Sequence, residues 1–360
     1  MKLLSIDIEN FRGIREAKLN GFKRVNIFLG KNNASKTSVL EAIFLNIGIT
    51  NSQLPININL FRGLAHTVDD DFRLIFRNLD YAYHPKFKSK FDQNSHTRTL
   101  EIRPIFSTSS EIINKEIETS ISTNIDTRIE SGRVNGLELE STIKEYQKKV
   151  INLKSKVISA AGSLEGELPK RYKETLTGVF LSHTFVYGKL SERLENMIVN
   201  KSEISVVEIL NQVDSSIKSI TLGTKGLIYI DIGIDRLIPL NIAGDGIKNI
   251  LAILVSIADM KDGIVLIDEI ENGLHHTSQN ILLKAIFIMA EHYNVQIFAT
   301  THDYEILKYL QQVLAEDDLK KFQDDTMVFT LRMLAKQTLK AYPYDFNSLS
   351  HAIEHEIEIR

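Results

Sequence analysis

The chain has 360 residues, of which 43% are hydrophobic and 25% charged, and its formal net charge is -3. This composition is typical of a globular protein with one large core or two smaller ones. The sequence contains no cysteine, which excludes a disulfide framework and a thiolate metal site. No apolar run approaches the roughly 18 residues of a membrane span, and the first residues break too early for a signal peptide. We therefore expect a cytoplasmic protein without a membrane partner.

The first 45 residues predict a strand, a loop and a helix in the order that a phosphate-binding loop requires. Residues 3–9 alternate apolar and polar side chains, which predicts a half-buried strand, and residues 24–29 form a second, more apolar strand. After the loop, residues 38–45 place apolar side chains at helical spacing. This context favours binding of a triphosphate.

The loop itself supplies the chemical groups that a triphosphate needs. Such a loop requires glycine for close backbone approach, a cation at the β- and γ-phosphates and a hydroxyl for magnesium, and Gly30, Lys36 and Thr37 have these properties. Ser35 stands where the pattern G-x-x-x-x-G-K-[ST] has its second glycine. A polar turn with an exposed lysine is the alternative interpretation. The residues predicted to contact ATP are Gly30, Asn32, Asn33, Ala34, Ser35, Lys36, Thr37 and Ser38.

A second segment, residues 263–269, reads as a buried strand that ends in two carboxylates. Unpaired charge beside a core is costly, so adjacent carboxylates there predict a cation or a reacting water. We expect Asp268 to hold Mg²⁺ together with Thr37, and Glu269 to act as the general base on the attacking water. The simpler alternative is that both carboxylates cap the strand in solvent.

A third segment, residues 296–301, reads as a buried strand that runs into His302. It follows the carboxylate strand by one helix, and neighbouring strand ends of a parallel sheet lie together, so we expect His302 to reach the γ-phosphate. A structural histidine is the alternative. The alternation of strands and helices in this half predicts a largely parallel sheet covered on both faces.

The middle of the chain has a different pattern. Apolar side chains recur at heptad-like intervals at Leu139, Ile143, Tyr146, Val150, Leu153 and Val157. This spacing predicts an amphipathic helix over residues 137–158, within an inserted and partly basic segment of residues 106–182. Residues 144–173 include eight basic and three acidic side chains. They are interpreted either as a surface for a polyanion or acidic partner, or as a solvated helix face.

Three segments together resemble a known family. They are residues 10–13, residues 268–275 and residues 298–302. These segments are similar to the ABC-type ATPase heads of the RecF, SMC and OLD (overcoming lysogenization defect) group, above all to the OLD-like ATPases of bacterial defence and abortive-infection systems. The resemblance covers residues 1–105 and 183–360. It implies an α/β fold with a mostly parallel sheet flanked by helices, an antiparallel N-terminal β portion and a helical insertion.

The resemblance also implies residue roles. Arg12 is expected to approach the base or ribose, Glu269 to be the catalytic glutamate and His302 to be the switch histidine. The glutamine that links magnesium to the helical lobe has no clear counterpart, and Gln53 is the candidate we name.

In such heads a signature loop from a second subunit completes the site. Its counterpart here is residues 241–246, where Gly244 and Gly246 are expected to turn backbone N–H groups toward the partner's γ-phosphate. A helix-start turn capped by Asp245 is the alternative. Ala243 stands where signature loops commonly have serine, which together with Ser35 implies slow hydrolysis.

The expected function follows from these roles. OLD proteins usually carry a C-terminal nuclease domain of the Toprim kind, and no counterpart follows about residue 335. We expect an ATPase that binds ATP and Mg²⁺, forms a homodimer or larger homo-oligomer, and regulates a separate nuclease or toxin in defence against phage.

Two other functions are possible interpretations of the same residues. The first is a RecF-like repair ATPase that clamps DNA on a basic surface formed by Lys86, Lys88, Lys90, Arg98 and residues 144–173. The second is a metabolic phosphotransferase, which is disfavoured because small-molecule kinases do not need a signature loop.

Overall fold

The protein is described by a computed structural model at residues 1–31, 34–64, 72–93, 95–106, 134–160, 163–167, 172–182, 189–357 and 359. The strands in these residues are β1 (Leu3–Phe11), β2 (Ile14–Asn20), β3 (Val25–Leu29), β4 (Lys86–Phe91), β5 (Thr97–Phe106), β6 (Val134–Lys144), β7 (Ile151–Ala160), β8 (Ser163–Glu167), β9 (Gly178–Leu181), β10 (Ser219–Leu222), β11 (Ile228–Asp231), β12 (Ile238–Pro239), β13 (Ile264–Ile267), β14 (Gln296–Thr301), β15 (Thr326–Met333) and β16 (Thr338–Tyr344). The helices are α1 (Lys36–Ile47), α2 (Leu54–Leu60), α3 (Leu190–Val199), α4 (Ile204–Val213), α5 (Asp245–Asp259), α6 (His276–His292), α7 (Tyr304–Ala315) and α8 (Phe346–Glu354).

One large sheet of 13 strands organises the described residues, in the order β8-β7-β6-β5-β4-β1-β2-β16-β15-β3-β14-β13-β9. Strands β15, β3, β14, β13 and β9 are parallel to their neighbours in this group, and helices connect most of them. From β8 to β2 every pairing is antiparallel. The α/β class is confirmed, and the sheet is mixed: most of its parallel pairing lies in the half that contains the three predicted motifs, and β16 also pairs in parallel with β2.

The parallel strands are covered on both faces, as their apolar composition predicts. In β3, Val25, Ile27 and Leu29 belong to one hydrophobic core and Phe28 to the other. The first core contains the apolar faces of α5, α6 and α7, while the second contains that of α1 and the inward face of the antiparallel strands. Alternate residues of β3 therefore pack into two different cores. This packing on both faces fixes the direction of the strand ends, which carry the polar residues.

The helix predicted over residues 137–158 is wrong. This segment is the β6–β7 hairpin, in which Leu139 pairs with Ser155 and Ile143 with Ile151. Leu139, Ile143, Leu153 and Val157 are buried because they lie an even number of residues apart on the inward face of each strand. The two intervals of three span the turn, where Tyr146 and Val150 are exposed. An interval of four fits both a helix and a strand, so the heptad-like pattern did not distinguish them.

Helices α3, α4 and α5 pack together into a layer that carries a small antiparallel sheet of β10, β11 and β12. Leu194 of α3 and Leu210 of α4 join the same core as the apolar face of α5, which includes Leu251 and Leu254. The 241–246 loop leads into the start of α5. The packing of α5 in this layer therefore positions the loop relative to β13. No helix in the described ranges has the length and apolar character to cross a membrane.

Candidate active site

The phosphate loop joins the end of β3 to the start of α1, as predicted. Gly30 is required by packing, because a Cβ atom there would lie 2.8 Å from the carbonyl oxygen of Leu331 and 2.9 Å from the Cβ of Ala34. Ser35 has φ 58° and ψ 27°, the left-handed conformation that glycine adopts without strain. Asn32 and Asn33 lie outside the described residues. The serine thus keeps the backbone shape of a glycine-containing loop.

The Lys36 ammonium group lies across this loop. Its Nζ donates to the carbonyl oxygens of Gly30 at 2.7 Å and Lys31 at 3.3 Å. Burial lowers the pKa of Lys36, and the carboxylates of Asp268, Glu271 and Glu269 oppose that shift. The cation therefore lies near the carboxylates that follow β13 and is available to exchange its carbonyl acceptors for phosphate oxygens.

Thr37 and Asp268 meet at the centre of the site. The Thr37 hydroxyl lies 3.0 Å from both carboxylate oxygens of Asp268. Thr300, at the end of β14, donates its hydroxyl to Asp268 at 2.6 Å and accepts the backbone N–H of Glu269 at 2.8 Å. No role was predicted for Thr300 from the sequence. Its side chain nevertheless orients both Asp268 and Glu269.

The same residues fit a magnesium ion. Burial raises the pKa of Asp268, while hydrogen bonds from Thr300 and Thr37 act to lower it. A carboxylate desolvated in this way is stabilised by a cation, and Mg²⁺ prefers oxygen ligands, keeping waters and phosphate oxygens in most of its positions. No group of three or more acidic or histidine side chains within the described ranges forms a metal site of its own. Thr37 and Asp268 are accordingly the residues that would hold Mg²⁺ beside a bound triphosphate.

Glu269 begins the turn that follows β13. Its φ is 56°, an uncommon left-handed conformation for a residue with a side chain. With Asp268 it lines a cleft whose opposite wall includes Asn249 and Ile253 of α5. A strained residue beside a cleft is a common feature of functional sites, and the position suits a general base.

His302 follows β14 and lies next to this turn. Its side chain is 50% exposed, and its Nδ1 atom is 2.8 Å from Oε1 of Glu271. The same carboxylate oxygen accepts the backbone N–H of His302 at 2.8 Å. No role was predicted for Glu271. It is the third acidic residue of this segment and directly follows the buried Ile270, and this position was a signal that its side chain turns back toward the sheet.

Comparison with known proteins places the chain in a family. A sequence profile for the family described as "AAA domain, putative AbiEii toxin, Type IV TA system" matches residues 25–308. The chain belongs to this AAA family. The ATPase activity predicted from the sequence is confirmed by this membership.

Individual relatives have more distant similarity. A Helicobacter pylori (strain ATCC 700392 / 26695) protein named ATP/GTP phosphatase is 26% identical over 352 residues, which are 91% of this chain and 92% of that protein. A RecF DNA replication and repair protein of Lactococcus lactis subsp. lactis (strain IL1403) is 51% identical over 43 residues, 12% of each chain.

Solved structures of SMC heads also align with the AAA domain. The SMC head bound to the C-winged helix domain of ScpA has a TM-score of 0.48 at 11% identity, covering 98% of this chain and 100% of that chain. The SMC head domain from Thermotoga maritima has a TM-score of 0.45 at 12% identity, covering 96% and 100%.

The side chain of Arg12 makes its contacts with other residues inside the fold. Its Nε atom is 2.6 Å from a carboxylate oxygen of Glu41, which is fully buried, and its other nitrogens donate to Asn59 and to the carbonyl of Leu74. Contact of Arg12 with the base or ribose stays a prediction. Arg62, which the sequence did not single out, also pairs with Glu41 at 2.8 Å.

Ser38 links this network to the phosphate loop. It is buried, and its hydroxyl accepts a hydrogen bond from Nη2 of Arg62 at 3.0 Å. Ser38 therefore lies in the first turn of α1 beside Thr37, as predicted, but its hydroxyl is occupied by an arginine. Gln53 donates its amide to the carbonyl of Leu164 at 3.1 Å, so its side chain is bound to β8.

The 241–246 loop ends at α5, with Gly244 at the position before the helix and φ 96°. Nothing lies within 4 Å of a Cβ built on Gly244, whereas one on Gly246 would be 2.9 Å from the carbonyl oxygen of Gly273. Asp245 is the first residue of α5 and its carboxylate pairs with Lys248 at 3.0 Å, so the interpretation of Asp245 as a cap is wrong. The start of α5 packs on the turn that follows Glu269.

Several basic residues of the surface predicted for DNA are paired with acidic side chains. Arg98 is 1% exposed and pairs with both carboxylate oxygens of Glu174, so it does not belong to a surface. Lys86 lies 3.5 Å from Glu101, and Lys154 pairs with Glu140 at 2.5 Å. Acidic side chains from neighbouring strands alternate with the lysines on the outer face of the antiparallel sheet.

Proposed function

We propose that this AAA ATPase is a cytoplasmic nucleotide-dependent switch that closes with a second copy of itself and regulates a separate effector, a nuclease or toxin, in defence against phage. The observation that carries the proposal is the contact between the Thr37 hydroxyl and Asp268, which joins the phosphate loop to the carboxylate strand. ATP and Mg²⁺ are the ligands that this arrangement fits.

The chemical steps belong to a small set of side chains. Gly30 and Lys36 bind the phosphates, and Mg²⁺ held by Thr37 and Asp268 would neutralise charge on the phosphate oxygens. Glu269 accepts the proton of the attacking water. His302 donates a hydrogen bond to the γ-phosphate, where negative charge is concentrated.

Closure with a second copy is supported by the surface around the 241–246 loop. Gly244 is open to solvent, and Ile242 beside it is 73% exposed. The first turn of α5 follows, and its free backbone N–H groups favour an anion such as the partner's γ-phosphate. Because Gly246 packs on Gly273, movement of this loop is expected to reach the turn after Glu269.

The role in defence is supported by the toxin named in the family description, and it agrees with the OLD-like motifs. The name of the Helicobacter pylori relative supports hydrolysis of GTP as well as ATP. Ser35 and Ala243 favour slow turnover, which suits a switch that stays closed long enough for an effector to respond.

A RecF-like DNA clamp remains the second candidate because of the short match to a RecF protein. The buried Arg98 and the alternating charges on the outer sheet face argue against a DNA surface there. Titration with duplex DNA at two salt concentrations separates the candidates: a clamp predicts ATP-dependent binding that weakens steeply with salt, and a regulator of a protein effector does not.

The central experiment measures assembly and turnover together. Analytical ultracentrifugation of a Glu269→Gln variant with ATP and Mg²⁺ is expected to show a dimer that dissociates when ATP is removed. Gly244→Trp should block that dimer while nucleotide binding to the monomer persists. A monomer at all nucleotide concentrations would contradict closure. Affinity purification from the native cell, compared between wild type and Gly244→Trp, tests for the effector, and its absence from both would count against the regulatory role.

A further inference from the structure

Glu271 and His302 form a pair at the edge of the nucleotide site that the assigned roles do not use. Glu271 lies three residues after Asp268 and its side chain is only 7% exposed, whereas that of His302 is 50% exposed. One oxygen of the carboxylate contacts both the imidazole and the backbone N–H of His302, each at 2.8 Å. The carboxylate of Glu271 therefore holds the buried side of the half-exposed His302 ring.

This contact determines which ring nitrogen faces the site. An ionised carboxylate only accepts hydrogen bonds, so with Glu271 ionised the proton of this contact lies on Nδ1 of His302. The Nε2 atom, on the other edge of the ring, is left for a ligand. Carboxylates hold the tautomer and orientation of histidines in the same way in metal sites and catalytic triads.

We propose that Glu271 is a positioning residue that orients His302 so that Nε2 faces the γ-phosphate, with Nδ1–H bound to Glu271. This inference rests on the proposed role of His302 in hydrolysis. When both ring nitrogens carry a proton, Nδ1–H donates to Glu271 and Nε2–H donates to the phosphate. Glu271 itself does not contact the nucleotide.

The carboxylate of Glu271 is buried with only part of its hydrogen-bonding capacity used. Its second oxygen, Oε2, is buried and has no hydrogen-bond partner among the described residues. Burial raises the pKa of Glu271, and the hydrogen bonds from His302 and Thr301 act against that rise. The carboxylate of Glu271 also acts to raise the pKa of Lys36, against the lowering caused by burial. A buried carboxylate with one unsatisfied oxygen is better explained by a function than by stability.

A double-mutant cycle tests the proposal. We compare Glu271→Gln, His302→Ala and the double variant with wild type, and use Glu305→Gln as a matched control, because Glu305 is exposed and only three residues from His302. Glu271→Gln is expected to lower kcat by about 10- to 100-fold. The affinity for ATP and Mg²⁺ should remain within about threefold of wild type, since a residue acting through His302 contributes little to ground-state binding. In the His302→Ala background the same change should have no further effect.

Two outcomes would overturn the inference. One is a Glu271→Gln enzyme as active as the Glu305→Gln control. The other is an equal fall in kcat with or without His302, which would mean that Glu271 acts directly. Wild-type turnover and its loss in Glu269→Gln are measured in parallel, so that failure of hydrolysis as a whole is distinguished from failure of this pair.

A second measurement does not require the Glu271 variant to fold. In wild-type protein labelled with ¹⁵N-histidine, the His302 signals are identified by their loss in His302→Ala. At alkaline pH the neutral ring should carry its proton on Nδ1, although free histidine favours Nε2–H. An Nε2–H tautomer for His302 would contradict the proposed contact.

Discussion

The hydroxyl of Thr37 lies 3.0 Å from each carboxylate oxygen of Asp268, and Thr300 donates to the same carboxylate at 2.6 Å. Two hydroxyls thus hold a buried carboxylate in place before any cation arrives. Burial disfavours the ionised form of Asp268. We therefore expect the contacts of Asp268 with Thr37 and Thr300 to affect stability, magnesium binding and hydrolysis together.

Asp268→Asn should stabilise the nucleotide-free protein while it abolishes hydrolysis. Because the folded-state pKa of Asp268 is raised, ionisation costs stability above that pKa, and the cost disappears as the pH falls toward the unfolded value of 3.8. The difference in melting temperature between variant and wild type should therefore be largest at neutral pH and shrink in acid. Differential scanning calorimetry over this pH range measures it, and a variant less stable than wild type at neutral pH would disprove the argument.

Glu269→Gln should lower kcat by about 10²- to 10⁴-fold, because the amide no longer accepts the proton of the attacking water. Nucleotide affinity is expected to persist, since Lys36, Thr37 and Asp268 are unchanged. Steady-state phosphate release and equilibrium binding of ATP give the two quantities. Retained turnover would mean that a different residue is the general base.

Ser35 offers a test of loop strain. Ser35→Gly relieves the left-handed conformation and should leave the free energy of unfolding equal or higher, whereas Ser35→Val should lower it by about 1–3 kcal/mol because a β-branched residue resists φ 58°. Urea unfolding of the two variants measures the difference. Equal stability of the two variants would show that the loop relaxes to another conformation.

Glu41→Gln should destabilise the protein strongly. The fully buried carboxylate pairs with Arg12 at 2.6 Å and Arg62 at 2.8 Å, so its loss leaves two guanidinium groups without their counter-charge. Breaking a buried ion pair from one side costs about 3–5 kcal/mol. The matched control is Glu16→Gln, which removes an exposed pair with Arg15 and should leave unfolding in urea unchanged.

Sequence reasoning succeeded where the signal was local. The loop at Gly30, the carboxylates at Asp268 and Glu269, and the strand before His302 each combine a short apolar run with specific polar residues. It failed at residues 137–158, where intervals of four suit a strand as well as a helix, and at Arg98, whose charge suggested a surface although Glu174 pairs with it inside the fold. The deciding partner of Arg98 lies 76 residues away in the chain, and residues 137–158 are fixed by strand pairing within the hairpin and with β5.

The sequence by itself determined the phosphate loop, the carboxylate strand and the ATPase class, because these depend on backbone geometry and on residue types within a few positions. Only the tertiary structure decided that Thr300 orients Asp268, that Glu271 holds His302, and that Arg12 binds Glu41. These contacts depend on which strand ends and helix faces the sheet brings together, and a pairing across the sheet leaves no periodic pattern in the chain. The residue types that form the site can therefore be predicted from short segments of sequence. The orientation of their side chains depends on the fold.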